Sequence, residues 1–202
     1  MKFLNEQVHS AGAECGIGFD GDGDRIGVID KTGRQVSGDL LTAFLSLDIL
    51  DRHKGAEILF DVKSSSTALD IVRHAGGKPH LWRTGHSHMK KRLKELGAPL
   101  AGEMSGHIFI ADDFYGFDDA LYVACRFLSR LTHMKQKGNE SLTDFLDRLP
   151  PSFTTPECHI HCPDNEKFTA VERLSQQIGA VMPAEQMNLS LIHISEPTRP
   201  SR

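Results

Sequence analysis

The densest group of reactive side chains lies in one short segment, Gly18 to Arg25, which reads Gly-Phe-Asp-Gly-Asp-Gly-Asp-Arg. Its carboxylates alternate with glycines, and glycine lets a tight loop turn so that alternate side chains point at one centre. Two carboxylates about 5 Å apart repel by about 3 kcal/mol at an effective dielectric of roughly 20, so the cluster favours a bound cation. Ligands that are all oxygen suit Mg²⁺, Mn²⁺ or Ca²⁺ better than zinc. The segment therefore predicts a divalent-cation site on Asp20, Asp22 and Asp24.

Two other interpretations of this loop fail on the residues themselves. An EF-hand requires glycine at its sixth position and glutamate at its twelfth, and this loop has Arg25 and Lys31 there. The spacing of Gly16, Gly18 and Gly21 matches the dinucleotide-binding pattern, but the aspartates would face a pyrophosphate and the next segment resembles a strand. A solvated acidic turn is the remaining alternative, and three aspartates in register make it the weaker one.

The elements that must position this loop alternate between strand and helix. Short apolar runs predict strands, and apolar residues at helical spacing predict helices between them. We expect strands at 15–19, 26–29, 58–62, 79–82, from 100 and at 108–110, and helices at 40–49, 68–75, 89–96 and 120–131. Ser37 is expected to cap the first of these helices. This order predicts an α/β fold with a mixed, mainly parallel sheet and flanking helices.

Polar clusters follow three of the predicted strands at the point where each strand ends. They are 63–66 (Lys-Ser-Ser-Ser), 83–87 (Arg-Thr-Gly-His-Ser) and 103–107 (Glu-Met-Ser-Gly-His). Parallel strands end at one edge of a sheet, where ligands bind, so we expect the clusters to lie together. Taken singly, the serines could be helix caps and the lysine and histidines solvated side chains.

The last cluster has a pattern suited to a polyol. In an extended conformation Glu103, Ser105 and His107 would share one face, and together they offer a carboxylate, a hydroxyl and an imidazole. With the cation loop and the basic groups at Arg25, Lys63 and His86, they indicate a phosphorylated sugar as ligand.

Composition excludes several classes of protein. The formal charge is -4 with both signs interspersed, so nucleic acid is an unexpected partner. No apolar stretch reaches the roughly 18 residues of a membrane span, and the N-terminus lacks the order of a signal peptide. The four cysteines are too scattered for a disulfide framework, which favours a cytoplasmic location.

The C-terminal third carries weaker patterns. Residues 135–139 are polar and are expected to form a linker loop, followed by a short helix at 141–149, a strand at 153–162 and a helix from 165 to about 181. The Cys-His-Ile-His-Cys sequence at 158–162 is a poor zinc site, because on a strand the cysteines and histidines face opposite ways. Residues 189–202 resemble the translation of a DNA sequencing adapter, and we exclude them from further reasoning.

The motifs, in this order and spacing, resemble those of the α-D-phosphohexomutases, and most closely the bacterial phosphomannomutase/phosphoglucomutase branch. They are Phe19-Asp-Gly-Asp-Gly-Asp-Arg25, Asp61-Val-Lys63, Thr84-Gly-His-Ser87 and Gly102-Glu-Met-Ser-Gly-His107. Members of that family have four domains around one cleft. The resemblance implies that residues 1–34 end the second domain, 35–138 form the third, 139–149 link it onward and 150–188 begin the fourth.

The resemblance also implies a reaction and roles for the residues. Phosphate would move between O1 and O6 of mannose or glucose through hexose 1,6-bisphosphate and a phosphoserine, with Mg²⁺ as cofactor. Asp20, Asp22 and Asp24 match the metal ligands; Arg25, Lys63 and His86 match positions near the reacting phosphate; Glu103, Ser105 and His107 match the sugar readers.

The serine loop of the first domain and the phosphate loop of the fourth are absent from this sequence, so the chain by itself is expected to be inactive. Its expected partners are a phosphorylated hexose and those two domains. The alternatives are a phosphoglucosamine mutase, a metal-dependent sugar-phosphate-binding module without catalysis, and, more weakly, a Mg²⁺-dependent phosphatase.

Overall fold

A computed structural model describes residues 2–151, 161–163 and 165–179. The elements are α1 (Lys2–Ala11), β1 (Cys15–Phe19), β2 (Ile26–Asp30), β3 (Gln35–Val36), α2 (Gly38–Arg52), β4 (Glu57–Asp61), α3 (Ser66–His74), β5 (Lys78–Trp82), α4 (His86–Leu96), β6 (Leu100–Gly102), β7 (Ile108–Ile110), α5 (Ala120–Gly138), α6 (Leu142–Asp147) and α7 (Lys167–Gly179). None of the helices in these ranges combines the length and apolar character needed to cross a membrane.

A small antiparallel sheet presents the acidic loop. Its strand order is β1-β2-β3, and β1 pairs with β2 in a register that places Phe19 opposite Ile26. The loop from Asp20 to Arg25 is therefore the connection of a hairpin, which holds its two ends together. Helix α1 covers this sheet closely, since a Cβ on Gly16 would lie 2.6 Å from Val8 Cγ2. The sheet includes residues 35–36, two residues beyond the expected boundary at 34.

A second sheet provides the edge on which the three polar clusters lie. Its strand order is β5-β4-β6-β7, with β4 parallel to both β5 and β6 and β7 antiparallel to β6. The predicted mixed, mainly parallel sheet with flanking helices is thus confirmed. Because β4, β5 and β6 run the same way, the segments that follow them emerge at one edge, which we call the C-terminal edge of the sheet.

The core forms between this sheet and helices α2, α3, α5 and α6. Phe44 on α2 is fully buried, and its ring centroid lies 5.6 Å from that of Phe127 and 5.1 Å from that of Phe145. These rings belong to three different helices, so the contact fixes α5 and α6 against α2. Aromatic pairs at such distances add about 0.5–1.5 kcal/mol each beyond the burial of area.

Helix ends follow the sequence with one exception. The Ser65 hydroxyl accepts a hydrogen bond from Ala68 N and caps α3, and Gly97 ends α4 in the left-handed conformation at φ 62°. Ser37 occupies the N-cap position of α2 but makes no capping hydrogen bond. Its hydroxyl instead donates to the Asp39 carboxylate at 2.5 Å, and that carboxylate accepts a hydrogen bond from Leu40 N at 2.9 Å. The predicted side-chain cap is therefore wrong, because Asp39 takes the N–H group of the first turn that Ser37 would have bonded.

The expectation of a linker loop at 135–139 is wrong. Residues 135–138 form the last turn of α5, which ends at Asn139 in the left-handed conformation (φ 53°). The segment is polar because that turn is exposed, and Lys135 Nζ lies 2.8 Å from Glu14 Oε1. The following helix α6 has a capping box between Ser141 and Asp144 and buries Phe145 in the main core.

The remaining predictions near the C-terminus have mixed outcomes. Helix α7 begins two residues later than expected, at Lys167. The strand expected at 153–162 and the cysteine and histidine segment lie largely outside the described residues, and residues 161–163 have no regular secondary structure. The adapter-like tail also lies outside the described residues.

Candidate active site

The acidic loop, residues 20–25, brings its three carboxylates together as predicted. Asp20, Asp22 and Asp24 each offer a ligand oxygen, and these atoms lie within 4.8 Å of one another. Asp24 Oδ1 is inaccessible to solvent and has no hydrogen-bond partner among the described residues. A buried carboxylate oxygen without a donor is costly, and a cation would satisfy it. The residues present therefore fit a divalent metal ion bound through oxygen, and we call residues 20–25 the metal loop.

Arg25 closes the metal loop onto Asp20. Its backbone N–H donates to Asp20 Oδ1 at 3.1 Å and its Nε donates to Oδ2 at 2.6 Å. The backbone hydrogen bond and then the guanidinium lower the pKa of Asp20 far below its usual value. Asp20 is thus held ionised, as a metal ligand must be, while half of the Arg25 side chain stays exposed toward any ligand.

Glu103, Ser105 and His107 converge, although not as an extended segment. Glu103 N donates to His107 O at 2.9 Å and Gly106 N donates to Glu103 O at 3.0 Å, so residues 103–107 form a tight turn. Gly106 has φ 96°, a value that side-chain-bearing residues rarely adopt. The expected extended geometry is therefore wrong, and the turn produces the shared face instead. We call residues 103–107 the sugar loop.

Side chains of the sugar loop are joined by hydrogen bonds. The Ser105 hydroxyl donates to Glu103 Oε2 at 3.1 Å and lies 3.1 Å from His107 Nδ1, which is 3.3 Å from the same carboxylate. Burial would raise the pKa of Glu103, but hydrogen bonds from His107, Gly85 N and Ser105 outweigh it and lower the pKa. Burial would lower the pKa of His107, and the Glu103 carboxylate raises it instead.

The metal loop and the sugar loop touch. Ile26 N donates to Gly106 O at 3.2 Å, and Arg25 and His107 form an isolated antiparallel bridge. Between side chains, His107 Nε2 lies 3.4 Å from Asp24 Oδ2. The metal loop and the sugar loop therefore belong to one continuous surface.

Lys63 follows strand β4 and His86 follows strand β5, so both lie at the C-terminal edge of the sheet. The Glu103 carboxylate accepts a hydrogen bond from Gly85 N at 2.8 Å, which ties the loop that carries His86 to the sugar loop. His86 is the first residue of α4, and half of its side chain is exposed. Lys63 is half-buried beside Asp61, whose carboxyl group feels its positive charge.

Three buried acids support these loops, and sequence reasoning missed their roles. Asp61 is fully buried and accepts hydrogen bonds from Ser64 Oγ at 2.9 Å and Thr84 Oγ1 at 3.3 Å. Burial raises the pKa of Asp61. Asp39, also fully buried, accepts from Ser65 N at 2.8 Å. The sequence did contain a signal for these roles, namely a single acidic residue within an otherwise apolar segment. Asp61, which directly follows Ile-Leu-Phe, is an example.

Asp118 is the third of these acids. Its side chain is only 8 % exposed and lies 2.7 Å from Lys90 Nζ and 4.0 Å from His86 Nδ1. It precedes Asp119, whose carboxylate caps α5 by accepting from Tyr122 N at 2.9 Å. The Asp-Asp pair before a helix signalled a cap, but not that its first member turns toward the site.

A groove of about 730 Å³ runs beside both loops. Asp20, Arg25 and Ser105 contribute polar groups to its lining, and Gly38 and Met104 lie at the junction with the sugar loop. Its volume falls in the range of small-molecule sites. The groove joins the metal loop to the sugar loop, while Lys63 and His86 lie outside its lining.

Comparison with known proteins identifies the family. Residues 37–153 match a family model described as phosphoglucomutase/phosphomannomutase, alpha/beta/alpha domain III. The chain belongs to this family. The matched range begins immediately before α2 and contains the larger sheet and all three polar clusters.

Named relatives agree with this membership. The chain is 42% identical over 176 residues to a phosphomannomutase/phosphoglucomutase of Pseudomonas putida, covering 87% of this chain and 37% of the relative. It is 40% identical over 164 residues to a phosphoglucomutase of Neisseria gonorrhoeae, covering 81% of this chain and 35% of the relative. The chain also superposes on the crystal structure of a phosphoglucomutase/phosphomannomutase family protein from Burkholderia thailandensis, with a TM-score of 0.71 and 41% identity. The match covers 77% of this chain and 33% of that protein. The chain thus spans little more than a third of the length of these relatives.

Proposed function

We propose that this chain is part of a phosphohexomutase that interconverts hexose 1-phosphate and hexose 6-phosphate, with mannose and glucose as the sugars. One observation carries the proposal: in a chain of this family, the metal loop and the sugar loop meet at the contact between Asp24 and His107. A phosphoryl acceptor held by the sugar loop would lie beside the cation that the transfer requires.

Asp20, Asp22 and Asp24 would hold Mg²⁺, which when bound neutralises negative charge that develops on the transferring phosphoryl group. Arg25 holds Asp20 ionised and keeps an exposed guanidinium surface next to it. That surface would contact the phosphate, since guanidinium matches phosphate oxygens in charge and geometry. The loop thus supports electrostatic stabilisation rather than covalent chemistry.

Lys63 and His86 would serve the reacting phosphate from the larger sheet. Lys63 follows a strand whose last four residues are buried, so its backbone is anchored at the C-terminal edge. His86 stands at the N-terminus of α4, where the helix dipole favours an anion. These positions support phosphate binding, removal of the proton from the hydroxyl that accepts the phosphoryl group, and return of a proton to the oxygen that loses it.

Glu103, Ser105 and His107 would read the sugar hydroxyls. Ser105 is exposed and lines the groove, whereas Glu103 is 3 % exposed. Ser105 would therefore contact the hexose directly. The partly exposed imidazole of His107 lies beside it, and Glu103, which contacts both side chains, would orient them. The phosphoserine that donates and recovers the phosphoryl group, and the site for the second phosphate, would come from the rest of the longer protein. The proposed mutase would use Mg²⁺ and hexose 1,6-bisphosphate as cofactors. It would act in the cytoplasm.

A chimera tests this proposal, because the chain spans a third of its relatives. The 176 matched residues would replace their counterparts in the Pseudomonas putida relative. We expect turnover of mannose 1-phosphate and glucose 1-phosphate in the presence of Mg²⁺ and hexose 1,6-bisphosphate. Ser105→Ala should raise KM more than it lowers kcat, because the hydroxyl contributes binding.

Other outcomes would identify the alternatives. A preference for glucosamine 1-phosphate would indicate a phosphoglucosamine mutase. A folded chimera that binds sugar phosphate without turning it over would indicate a binding module and would contradict the proposal.

A further inference from the structure

A second group of cation ligands lies beside the metal loop and shares one residue with it. Asp24, His107 and Asp118 each offer a ligand atom, and these atoms lie within 4.8 Å of one another. We propose that these three residues, which we call the mixed set, bind a transition-metal ion such as Zn²⁺. The mixed set contains an imidazole nitrogen, which suits zinc, cobalt, nickel and copper, whereas the oxygen-only metal loop suits Mg²⁺.

The orientation of His107 is that of a supported metal ligand. Its Nδ1 lies 3.3 Å from Glu103 Oε2, and its Nε2 lies 3.4 Å from Asp24 Oδ2. A carboxylate on one ring nitrogen fixes the tautomer in which the other nitrogen is free to bind metal. Two ligand atoms of a tetrahedral zinc ion with bonds of about 2.1 Å lie about 3.4 Å apart. The two atoms are therefore already at the separation that one ion would require.

The two aspartates of the mixed set also have ligand capacity. Asp24 Oδ1 is inaccessible to solvent and without a hydrogen-bond partner among the described residues, and Arg25 Nε is 3.8 Å away. Asp118 is more than nine-tenths buried; its Oδ1 is paired with Lys90 Nζ at 2.7 Å, and its Oδ2 faces His86 Nδ1 at 4.0 Å. One oxygen of Asp118 thus remains for an ion, with a second imidazole next to it.

Crossed substitutions separate the mixed set from the metal loop. Asp22 belongs only to the loop, Asp118 only to the mixed set, and Asp24 to both. Zn²⁺ and Mg²⁺ are titrated separately into the whole chain by calorimetry. The reference chain and every variant also carry Cys158→Ser and Cys162→Ser, so that zinc bound weakly by these thiolates does not contribute to the titration.

We expect Asp118→Asn to weaken Zn²⁺ binding at least about tenfold and to leave Mg²⁺ affinity within about twofold. Asp22→Asn should weaken Mg²⁺ binding at least about tenfold and leave Zn²⁺ affinity within about twofold. Asp24→Asn should weaken the binding of both ions. In a second measurement, one equivalent of Cu²⁺ bound to the chain should show nitrogen coupling in its electron paramagnetic resonance spectrum. His107→Gln should lower the number of coupled nitrogens by one, and an unchanged number would contradict the proposal.

The result that overturns the proposal is unchanged Zn²⁺ affinity in Asp118→Asn, or equal weakening of Zn²⁺ by Asp22→Asn and Asp118→Asn. If circular dichroism shows that Asp118→Asn is unfolded, His107→Gln decides in its place: it should weaken Zn²⁺ at least about tenfold and spare Mg²⁺. Each of these measurements reports binding by this chain, so failure of the proposed mutase activity would leave their outcome unaffected.

Discussion

Gly38, the first residue of α2, lies directly under the sugar loop. A Cβ added there would be 2.2 Å from Glu103 O, 2.9 Å from Met104 O and 3.0 Å from Gly106 N. All three atoms belong to the backbone of the tight turn, so no side chain can rotate away to make room. Carbon and oxygen atoms need more than about 3 Å, so Gly38→Ala should displace the turn or the helix by about 1 Å.

The cost of this displacement can be estimated from opposing effects. Overpacking costs about 1–3 kcal/mol, and alanine in place of a helical glycine returns at most about 1 kcal/mol. The 2.2 Å approach to a backbone atom places the cost at about 2–3 kcal/mol, so after a gain of about 1 kcal/mol we expect Gly38→Ala to lower the free energy of unfolding by about 1–2 kcal/mol. For a chain of this length each kcal/mol lowers the Tm by about 2–4 °C, so the Tm should fall by about 2–8 °C. Thermal unfolding followed by circular dichroism measures it.

Gly138, in the last turn of α5, provides a matched control. A Cβ there would meet Glu140 Cγ at 3.4 Å, an ordinary contact with a flexible side chain. Gly138→Ala should therefore raise stability, by up to about 1 kcal/mol. In the chimera, Gly38→Ala should also lower kcat/KM by about 100-fold, since a misplacement of 1 Å in a substrate-positioning group has that scale of effect. If Gly38→Ala unfolds at the same temperature as the parent chain and retains kcat/KM, the described packing of α2 under the sugar loop is refuted.

Three further substitutions test the supports of the fold and site. Asp112→Asn removes a buried carboxylate held by two guanidinium groups and should cost about 3 kcal/mol at pH 7, whereas the exposed Asp113→Asn should cost under about 0.5 kcal/mol. Burial would raise the pKa of Asp112, but the two guanidinium groups outweigh it and lower that pKa in the folded state. The stabilisation by ionised Asp112 is therefore complete above pH 3.8, the unfolded pKa, and is lost as pH falls through the lower folded pKa. Denaturant titrations at several pH values measure this loss of stability. Ser141→Ala removes the cap of α6 and should cost about 1 kcal/mol by the same method. Glu103→Gln should lower the Tm by about 3–12 °C at pH 7, because hydrogen bonds to a buried charge contribute about 1.5–3 kcal/mol. An unchanged Tm would contradict the assigned contacts.

Local patterns predicted most of the fold. All the helices and strands predicted between residues 15 and 131 are present and begin within about three residues of their predicted starts, because their apolar residues recur at helix or strand spacing. Strand β3 was not predicted, since it has only two residues. The C-terminal end of α5 was missed because a polar exposed turn has no apolar period. The pairing of β7 antiparallel to β6 is tertiary information that the order of elements does not contain.

The candidate site was predictable where its chemistry is local in sequence. The metal loop repeats carboxylates within six residues, so Asp20, Asp22 and Asp24 were recognised together. Asp118 was not, since it reaches the site from a loop after β7 and is 94 residues from Asp24 in sequence. The shape of the sugar loop was also missed, because one glycine with positive φ turned an expected extended segment into a tight turn.

Turnover by the chimera with Asp22→Asn tests the central claim most directly. Asp22 is exposed, so the substitution should leave the fold intact. Asp51→Asn on α2 is a matched control, because its exposed carboxylate lies 3.8 Å from Lys54 Nζ and 3.7 Å from the Arg130 guanidinium and contacts neither loop of the site. Loss of a group that stabilises the transition state typically costs about 100- to 1000-fold in kcat. We predict a loss of at least about 100-fold for Asp22→Asn and less than about twofold for Asp51→Asn, both at saturating Mg²⁺. Full turnover by Asp22→Asn would contradict the assignment of residues 20–25 as the metal loop of a phosphohexomutase.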